Sequence, residues 1–469
     1  MSNLINRDLN VINIGLSGFG DVIRQSGAQA VDLQWQPPAG GDPDAAWKLA
    51  CLMADPRVTE ANAAAYQRYL AAQPVLIGVK PAGEAIPGMT GKIILHSGPP
   101  IAWERMCGPQ QGAVIGAVLF EGWASDPDDA RRLVDSGKIA LQPCHHHQAV
   151  GPMAGIISPG MPVWIVRDTT SGGMAYSNMN EGLGKVLRFG ANGPDVLARL
   201  RWMADVMGPT LAVIVEEMGG LELKPLMAQA LHMGDEVHNR NVAASSLLFR
   251  KLTVTALTSS RLSQNAVAEV LSFIAGNDHF FLNLSMTACK AMLDAAHGVP
   301  CSTLVTAMAR NGVDFGVRIS GMDQWFTAEA PFIEGLFFPG YGPDDAARDL
   351  GDSAITETAG VGGFSMAASP AIVQFVGGTP RDALANTLRM LNITLGQNAA
   401  FTLPALDFTG APAGIDACLV ADTGIQPIIN TGIAHKEAGV GQVGAGVTYA
   451  PLSCFIQAVT ALAGVINDG

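Results

Sequence analysis

Apolar stretches alternate with glycine-rich turns in the first third of the chain. An apolar β-branched run, LNVINIG (9–15), is followed by the glycine loop LSGFG, then by DVIRQSG and a second apolar run, AVDLQW. Strand, glycine turn, helix and strand in this order are typical of the start of a Rossmann-like unit. Further strand-like runs follow at VLIGV, KIILHSGPP and AVIGAVLFEG. The pattern therefore predicts a Rossmann-like α/β domain over residues 1–165.

The spacing of apolar residues changes to intervals of three and four from Asn178 onward. This helical period is found in EGLGKVLRFG, DVLARLRWMADVM, LKPLMAQALHMG, VAASSLLFRKL, NAVAEVLSFIAG and TACKAMLDAAHG. After His297, strand-like and glycine-rich segments return. We therefore predict a multidomain α/β and α+β protein, in which a mainly helical domain covers residues 166–300 and a glycine-rich α+β domain covers residues 301–469.

Length and composition add an expectation about assembly. A chain of 469 residues is too long for one hydrophobic core, so several domains with clefts between them are expected. Charged residues make up 15% of the chain and hydrophobic residues 48%, whereas soluble domains have about 25% charged residues. Such a chain is expected to bury surface in subunit contacts, and we predict a homo-oligomer.

Charge and cysteine usage exclude several classes of partner. The net charge is -13, and no cluster of lysine and arginine follows a phosphate backbone, so nucleic acid is not expected as a partner. The seven cysteines are scattered without a CxxC pair, which favours the reducing cytoplasm. The N-terminal segment does not resemble an export signal, and the two long uncharged runs, 139–166 and 438–467, are interrupted by prolines and histidines or by glycines. We therefore expect no membrane span.

The segment HMGDEVHNRN (232–241) concentrates polar side chains between two helical patterns. In a continuous helix, a single face would carry His232, Asp235, Glu236 and Asn239. Arg240 follows directly and adds a forked donor. On this interpretation the segment forms a substrate-facing cluster.

A second interpretation of the same segment remains open. Gly234 would end the first helix, and Asp235 would cap the next one by accepting from its free amides. This capped junction explains Asp235 without any chemistry. The donors of Arg240 and its two asparagine neighbours exceed what a cap requires, which favours the substrate-facing cluster.

The stretch PCHHHQ (143–148) places a thiol beside three imidazoles. Zinc ligands are usually spaced by two to four residues, and only His147 with Cys144 or His145 fits this spacing loosely. We therefore expect a loop in which the imidazoles make hydrogen bonds, and we predict no metal and no cofactor.

Glycine-rich loops are candidates for anion binding. In ETAGVGGFSMAASPAIVQF (357–375), Gly362 and Gly363 precede a predicted helix start, where free amides and the helix dipole attract an anion. Ser17 and Gly18 occupy the corresponding place in the N-terminal glycine loop. The alternative for both loops is a structural turn.

Two cations of this charge-poor chain are further candidates for anion binding. Arg310 precedes Asn311 in MARNGVDFG, and Lys436 follows His435 in NTGIAHKEAG. Arginine binds carboxylate or phosphate with two parallel hydrogen bonds, and lysine supplies a point charge. The alternative for each cation is an ordinary surface salt bridge.

Motifs distributed over the whole chain resemble one family. They are LNVINIGLSGF, DLQWQPPAGGD, LHSGPPIAWERMCGP, GAVIGAVLFEG, PCHHHQAVGPMAG, QALHMGDEVHNRN, MARNGVDFGVRISG, GDSAITETAGVGGFSMAASPAIV and NTGIAHKEAGVGQVGAG. Together they resemble the YahG/YlbE-like family. The resemblance implies an AllG-like component of oxamate carbamoyltransferase that acts with an FdrA-like subunit and a third protein. The implied reaction is reversible transfer of a carbamoyl group between oxalurate and phosphate, giving oxamate and carbamoyl phosphate.

The residues suggest roles for this chemistry independently of the resemblance. Phosphate attacks a ureido carbonyl, so the site must hold two anions and stabilise an oxyanion. We expect phosphate and the substrate carboxylate to be held by Arg310, Arg240 and Lys436. We expect the carbonyl to be polarised, or a proton moved, by His232, Asn239 or His435. Asp235 or Glu236 would orient the urea nitrogens or the histidine.

Two other functions are compatible with the sequence. A noncatalytic scaffold or ligand-binding subunit of an FdrA-like complex would also explain the low charge, as a permanent interface. Metal-dependent hydrolysis is the third possibility, and it requires a bound zinc or manganese ion.

Overall fold

The computed structural model describes residues 10–33 and 35–468, excluding the side chains of Ser17, Leu33, Asn467 and Asp468. It is a mixed α/β structure with many helices and several small sheets. None of the helices in these residues is long and apolar enough to cross a membrane.

The strands are β1 (Asn10–Ile14), β2 (Gln29–Leu33), β3 (Pro74–Pro81), β4 (Ile93–His96), β5 (Ala140–Pro143), β6 (Ala149–Val150), β7 (Pro162–Asp168), β8 (Met174–Asn178), β9 (Leu221–Glu222), β10 (Val305–Asn311), β11 (Asp314–Ile319), β12 (Phe326–Glu329), β13 (Glu334–Phe337), β14 (Leu350–Gly351), β15 (Thr394–Leu403), β16 (Thr409–Ile415), β17 (Ile428–Ala434) and β18 (Gln442–Tyr449).

The helices are α1 (Ser17–Gln25), α2 (Pro43–Ala54), α3 (Pro56–Ala71), α4 (Ala82–Ala85), α5 (Gly108–Phe120), α6 (Pro127–Asp135), α7 (Pro194–Trp202), α8 (Gly208–Met218), α9 (Leu223–His232), α10 (Val242–Thr258), α11 (Gln264–Ala275), α12 (Leu282–Ala296), α13 (Ile355–Thr358), α14 (Val373–Val376), α15 (Pro380–Met390), α16 (Ala417–Thr423) and α17 (Leu452–Asp468).

The N-terminal unit has the predicted order of strand, helix and strand. Strands β1 and β2 pair in parallel, from Asn10 opposite Gln29 to Ile14 opposite Leu33, and α1 connects them. They form a separate two-stranded sheet. The Rossmann-like domain over residues 1–165 is not confirmed, because β3 instead joins a mainly antiparallel sheet of order β6-β8-β7-β3-β9.

Three sheets form the C-terminal part. Their strand orders are β12-β11-β10-β14, β13-β18-β17 and β15-β16, and all their pairings are antiparallel. Antiparallel neighbours joined by short connections agree with the glycine-rich turns in this region. The remaining small sheet, β4-β5, is parallel.

Buried side chains cross the predicted domain boundaries. The largest apolar cluster runs from Ala61 to Ala413 along the sequence. Helix α12, which is buried on all its faces, lies in this core and carries small residues such as Ala288. A second cluster joins α2 to strands of the C-terminal sheets and to α17. The boundaries at residues 165 and 300 therefore remain a prediction, and the segments on each side of them share one core.

Arg310 on β10 is fully buried and bound on all sides by protein groups. Its Nε and Nη2 donate to the two carboxylate oxygens of Asp349, at 2.7 and 2.9 Å. Nη1 donates to the carbonyl of Gly351 at 2.7 Å and more distantly to Ser353 Oγ, while Nη2 also donates to Thr431 Oγ1. One guanidinium therefore joins the sheet of β10 to the sheet of β17.

Replacing Arg310 by Met should destabilise the protein strongly. The substitution leaves the Asp349 carboxylate buried without its counter-ion, which costs about 3–5 kcal/mol of the free energy of unfolding. Urea denaturation measures this loss.

Arg105→Met is the matched control. Arg105 also binds both oxygens of one aspartate, Asp314, but its side chain is 57% exposed. The control should therefore lose no more than about 1 kcal/mol. Equal losses in the two variants would contradict the structural role of Arg310.

Candidate functional site

The polar segment between α9 and α10 is a loop. Helix α9 ends at His232, Gly234 takes the left-handed conformation with φ +97°, and α10 begins only at Val242. A glycine at this place ends a helix without steric cost. The continuous helix that would have aligned His232 with Asn239 is therefore not formed. The junction alternative is right about Gly234, but the next helix begins at Val242, with Asn241 at its N-cap position, and not directly after Asp235.

Asp235 caps α10 across the loop. Its Oδ2 accepts from the backbone amide of Ala244 at 2.8 Å, and its Oδ1 lies 3.5 Å from Arg240 Nε. The carboxylate is almost fully buried, and this burial raises the pKa of Asp235. Asp235 therefore satisfies free amides at the start of a helix, which is a structural role.

Glu236 folds the loop around its own carboxylate. Its two oxygens accept from the backbone amides of His238, at 2.7 Å, and Arg240, at 2.5 Å. Val237, which lies between Glu236 and His238, has φ +59°, a conformation that a β-branched residue rarely adopts. Burial raises the pKa of Glu236 well above its ordinary value. The loop conformation therefore depends on a buried acid, and it fixes the direction of the next side chain, His238.

His238 forms a buried pair with Glu357. Its Nδ1 lies 2.7 Å from Glu357 Oε1, and both residues are almost inaccessible to solvent. Glu357 also accepts from the amide of Gly363 at 2.8 Å and from Thr356 Oγ1 at 3.0 Å. Because Glu357 Oε1 already accepts from the Gly363 amide, the imidazole donates to it through Nδ1, which leaves Nε2 for a ligand. A carboxylate that orients an imidazole in this way prepares it for proton transfer.

The predicted anion-binding glycine loop wraps this pair. Gly362 donates to the carbonyl of Glu236 at 2.8 Å, and Gly363 donates to Glu357. A Cβ at Gly362 would collide with the Glu357 carboxylate and press on His238, and its φ of +61° also favours glycine. The amides of this loop therefore bind groups of the protein itself.

A cleft leads to His238. It has a volume of about 390 Å³ and includes Arg240 in its wall. Its inner end is a narrow pocket of about 20 Å³, which is lined by His238. The cleft and the pocket share Leu183, Asn239, His279 and Gln442. Such a volume accommodates a small metabolite at its wide end, whose wall is mostly apolar, and one reacting group at its narrow end.

The narrow pocket carries donors for an anion. Asn239 Nδ2 and Arg188 Nε are buried and have no hydrogen-bond partner among residues 10–33 and 35–468. Burial lowers the pKa of Arg188 to about 10, so its guanidinium stays charged near neutral pH. Burial, with Arg188 and His238 nearby, lowers the pKa of His279 to about 4, so this imidazole is neutral. One charged and several neutral donors therefore surround the space beside His238.

Arg310 does not have the role that the sequence predicted. The sequence suggested that it grips an external anion, but its guanidinium is occupied by Asp349 and the Gly351 carbonyl. Two of its weaker contacts, Ser353 and Thr431, line the narrow pocket. Arg310 therefore supports the pocket wall from behind.

Other expected site residues lie away from the cleft. His232 Nε2 pairs with Thr402 Oγ1 at 2.8 Å, and Asn311 closes the turn between β10 and β11 by accepting from two backbone amides. Lys436 donates to the Asp344 carbonyl, and His435 Nδ1 accepts from the Glu437 amide.

The N-terminal glycine loop is also separate from the cleft. Gly18 is exposed within α1, which packs on β1 and β2. The side chain of Ser17 lies outside the described residues. In the part of the chain that the structure describes, no group of three or more His, Cys, Asp or Glu side chains is placed to hold a metal ion.

Sequence reasoning missed the central residues of this site. His238 was not among the predicted site residues, and Glu357 lies 119 residues further along the chain. Arg188 and His279 carry no local motif. The one signal available was an acid, Glu357, directly before a glycine loop.

The fold and the site define a mixed α/β protein with an imidazole, oriented by a buried carboxylate, at the inner end of a cleft. The family model of the oxamate carbamoyltransferase subunit AllG matches residues 139–353. An uncharacterized Escherichia coli K12 protein, YahG, is 47% identical over 97% of this chain and 98% of its own length. The E. coli K12 oxamate carbamoyltransferase subunit AllG is 48% identical over 88% of this chain and 99% of its own length.

A solved structure resembles this chain closely as well. The crystal structure of a conserved protein of unknown function from Enterococcus faecalis V583 has a TM-score of 0.86 and 49% identity, and it covers 87% of this chain and 98% of that chain. The chain belongs to the YahG/AllG-like family.

Gly362→Ala should destabilise the protein more than a glycine substitution elsewhere. A left-handed alanine costs about 1–2 kcal/mol in any context, and here the methyl group also meets the Glu357 carboxylate. Overpacking of this kind adds about 1–3 kcal/mol to the loss. Urea denaturation gives the free energy of unfolding.

Gly298→Ala separates the two effects. Gly298 also has a left-handed conformation, with φ +80°, but a methyl group added there would meet no neighbouring atom within 4 Å. The Gly298→Ala variant should therefore lose only the free energy that a left-handed alanine costs. If both variants lost the same stability, the close approach of Gly362 to Glu357 would not be a constraint on the fold.

Proposed function

We propose that this chain carries the reacting site of a carbamoyltransferase of the oxamate type. The proposed reaction moves a carbamoyl group between oxalurate, or a similar ureido acid, and phosphate, giving oxamate and carbamoyl phosphate. Support comes from membership of the family and from the AllG relative, which is a subunit of an oxamate carbamoyltransferase. The observation that carries the proposal is the His238–Glu357 pair beside the unpartnered donors of Asn239 and Arg188.

The chemistry requires proton transfer but no protein nucleophile. A phosphate oxygen forms a bond to the ureido carbonyl carbon, and the bond from that carbon to the nitrogen shared with the oxamate unit breaks. Hydrogen phosphate loses one proton and the leaving nitrogen gains one, so atoms and charge balance. In the proposed mechanism, His238 Nε2 accepts the first proton and delivers the second, while Glu357 stabilises the imidazolium between the two steps.

The remaining groups suit the two anions. In our assignment Asn239 Nδ2 donates to the carbonyl oxygen as it gains negative charge. Arg188 binds the substrate carboxylate in the narrow pocket. Arg240 lies at the wider cleft with 30% of its side chain exposed, and it meets phosphate there.

Partner subunits form the second part of the proposal. The N-terminal unit exposes apolar side chains on its sheet and helix: Ile12 is 70%, Ile14 62% and Phe19 64% exposed. Exposed apolar side chains gathered in one small unit indicate an interaction surface. We propose that this surface binds an FdrA-like subunit of a complex that also includes a third protein, and that the complex works in the cytoplasm. The same feature favours the alternative function, a noncatalytic scaffold of such a complex, and variants at the site distinguish the two.

His238→Asn and Glu357→Gln should lower kcat sharply. Loss of the proton-transfer group or of its orienting partner should reduce the rate by about 10²–10⁴. The measurement is carbamoyl phosphate formation from oxalurate and phosphate by the assembled complex.

His232→Asn is the matched control. His232 precedes the same loop but contacts Thr402 and Phe408 instead of the cleft, so its variant should retain full turnover. If His238→Asn assembled normally and kept its rate, the scaffold function would replace the catalytic one.

Ile12→Lys and Ile14→Lys should weaken assembly and leave the fold intact. Both side chains are exposed, so each change should alter the free energy of unfolding by no more than about 0.5 kcal/mol. Size-exclusion chromatography with the FdrA-like subunit measures complex formation.

Val254→Lys is the control for the added charge. Val254 is 68% exposed on α10, away from the N-terminal unit. The control should assemble like the wild type. Undiminished complex formation by the Ile12 and Ile14 variants would exclude this surface as the docking site.

A further inference from the structure

A second polar cavity lies apart from the His238 cleft. It has a volume of about 480 Å³, and its wall is formed by the turn after β5, by α12 and by β11. The charged and imidazole side chains that line it are His145, His146, Lys290, Asp294, His297, Arg318 and Asp323. None of these residues has a place in the carbamoyl transfer proposed above.

Several polar atoms in this cavity lack partners. His145 is only 3% exposed, and neither of its ring nitrogens has a hydrogen-bond partner in the described residues. Its Nε2 lies 3.6 Å from Asp352 Oδ1, which is too long for a hydrogen bond. Within the same described part, Arg318 Nε and Asp294 Oδ2 are also buried without partners. Unmet buried polar groups of this kind are costly unless a ligand or water satisfies them.

The charge in the cavity favours an anion. Lys290 is 1% exposed and is paired with Asp294 at 2.6 Å, so these two charges compensate each other. The Arg318 guanidinium, whose side chain is 13% exposed, lies 3.7 Å from Asp323, a residue whose side chain is 95% exposed to screening water. Arg318 shares the attraction of Asp294 with Lys290, and the buried Asp352 acts on Lys290 from beyond ion-pair distance, so the two cations have only one closely paired acid in the cavity wall.

The imidazoles are arranged as donors. His146 Nε2 accepts from Trp325 Nε1 at 3.0 Å, so its proton lies on Nδ1. Burial, together with Lys290 and Arg318, lowers the pKa of His145 well below its ordinary value, so it is a neutral donor and acceptor. The geometry is poor for a metal, because both nitrogens of His297 are already engaged by protein groups.

We propose that this cavity is a second ligand site, which binds a small oxyanion, either phosphate or a carboxylate, through Arg318, Lys290 and the imidazoles of His145 and His146. The site is separate from the reacting cleft, and it stands whether or not the chain catalyses carbamoyl transfer. Asp352 approaches His145, whereas its neighbour Ser353 lines the His238 pocket, so the two sites meet at this short segment.

Calorimetric titration with inorganic phosphate and, separately, with acetate tests the proposal. The titrations use the full chain with Arg188→Gln and Arg240→Gln, which remove the two cations proposed to bind anions in the His238 pocket and its cleft. One anion site should remain, and the anion that binds more tightly identifies the class of ligand. Adding Arg318→Gln should weaken binding about tenfold or more, because charge-assisted hydrogen bonds are lost.

Arg348→Gln is the matched control. Arg348 also pairs with an exposed acid, Glu329, and lies over an aromatic ring, that of Phe332, but it is outside the cavity. His146→Gln provides a variant at an exposed position, where folding should not be affected. Weaker binding in the Arg318 and His146 variants, with unchanged binding in the Arg348 variant, supports the site. Unchanged binding by Arg318→Gln, or stoichiometric zinc binding without anion binding, overturns the proposal.

Discussion

The buried ion pair between Arg310 and Asp349 is the constraint on which the site depends. It lies where β10, β14 and β17 meet, and the arginine has no contact with solvent. A charge in this position is tolerated only when it is fully hydrogen-bonded, and here five contacts with protein groups meet that condition. Because Ser353 and Thr431 are among those contacts, the same ion pair that joins the sheets also fixes one wall of the pocket.

Buried carboxylates organise the opposite wall. Glu236 accepts two backbone amides of its own loop, Glu357 accepts the amide of Gly363, and Asp235 accepts a free amide at the start of α10. Loops rarely run through a protein interior, because their amides and carbonyls need partners. Here acidic side chains supply those partners, and His238 is held in position as a consequence.

The sequence predicted local features well. The glycine turn after residue 14 identified the N-terminal strand–helix–strand order, and Gly234 marked the end of α9, because both signals depend on backbone conformations that glycine favours. An amide and a guanidinium do bind carboxylates at Gly363 and Arg310, two residues that were expected to bind an external anion. The partners could not be predicted. The carboxylates are Glu357 and Asp349 of the chain itself, and only the tertiary fold shows that they are already present.

The N-terminal unit affects how readily the chain aggregates before it binds a partner. Its parallel sheet has two strands in the described residues, so each strand leaves one edge of backbone donors and acceptors without a neighbour, and apolar side chains lie beside those edges. Open, apolar strand edges pair readily with one another and promote aggregation. The amount of protein that stays in solution would then depend on how soon these edges are covered. A partner made in equal amounts could cover them, or a chaperone could protect them until the partner binds.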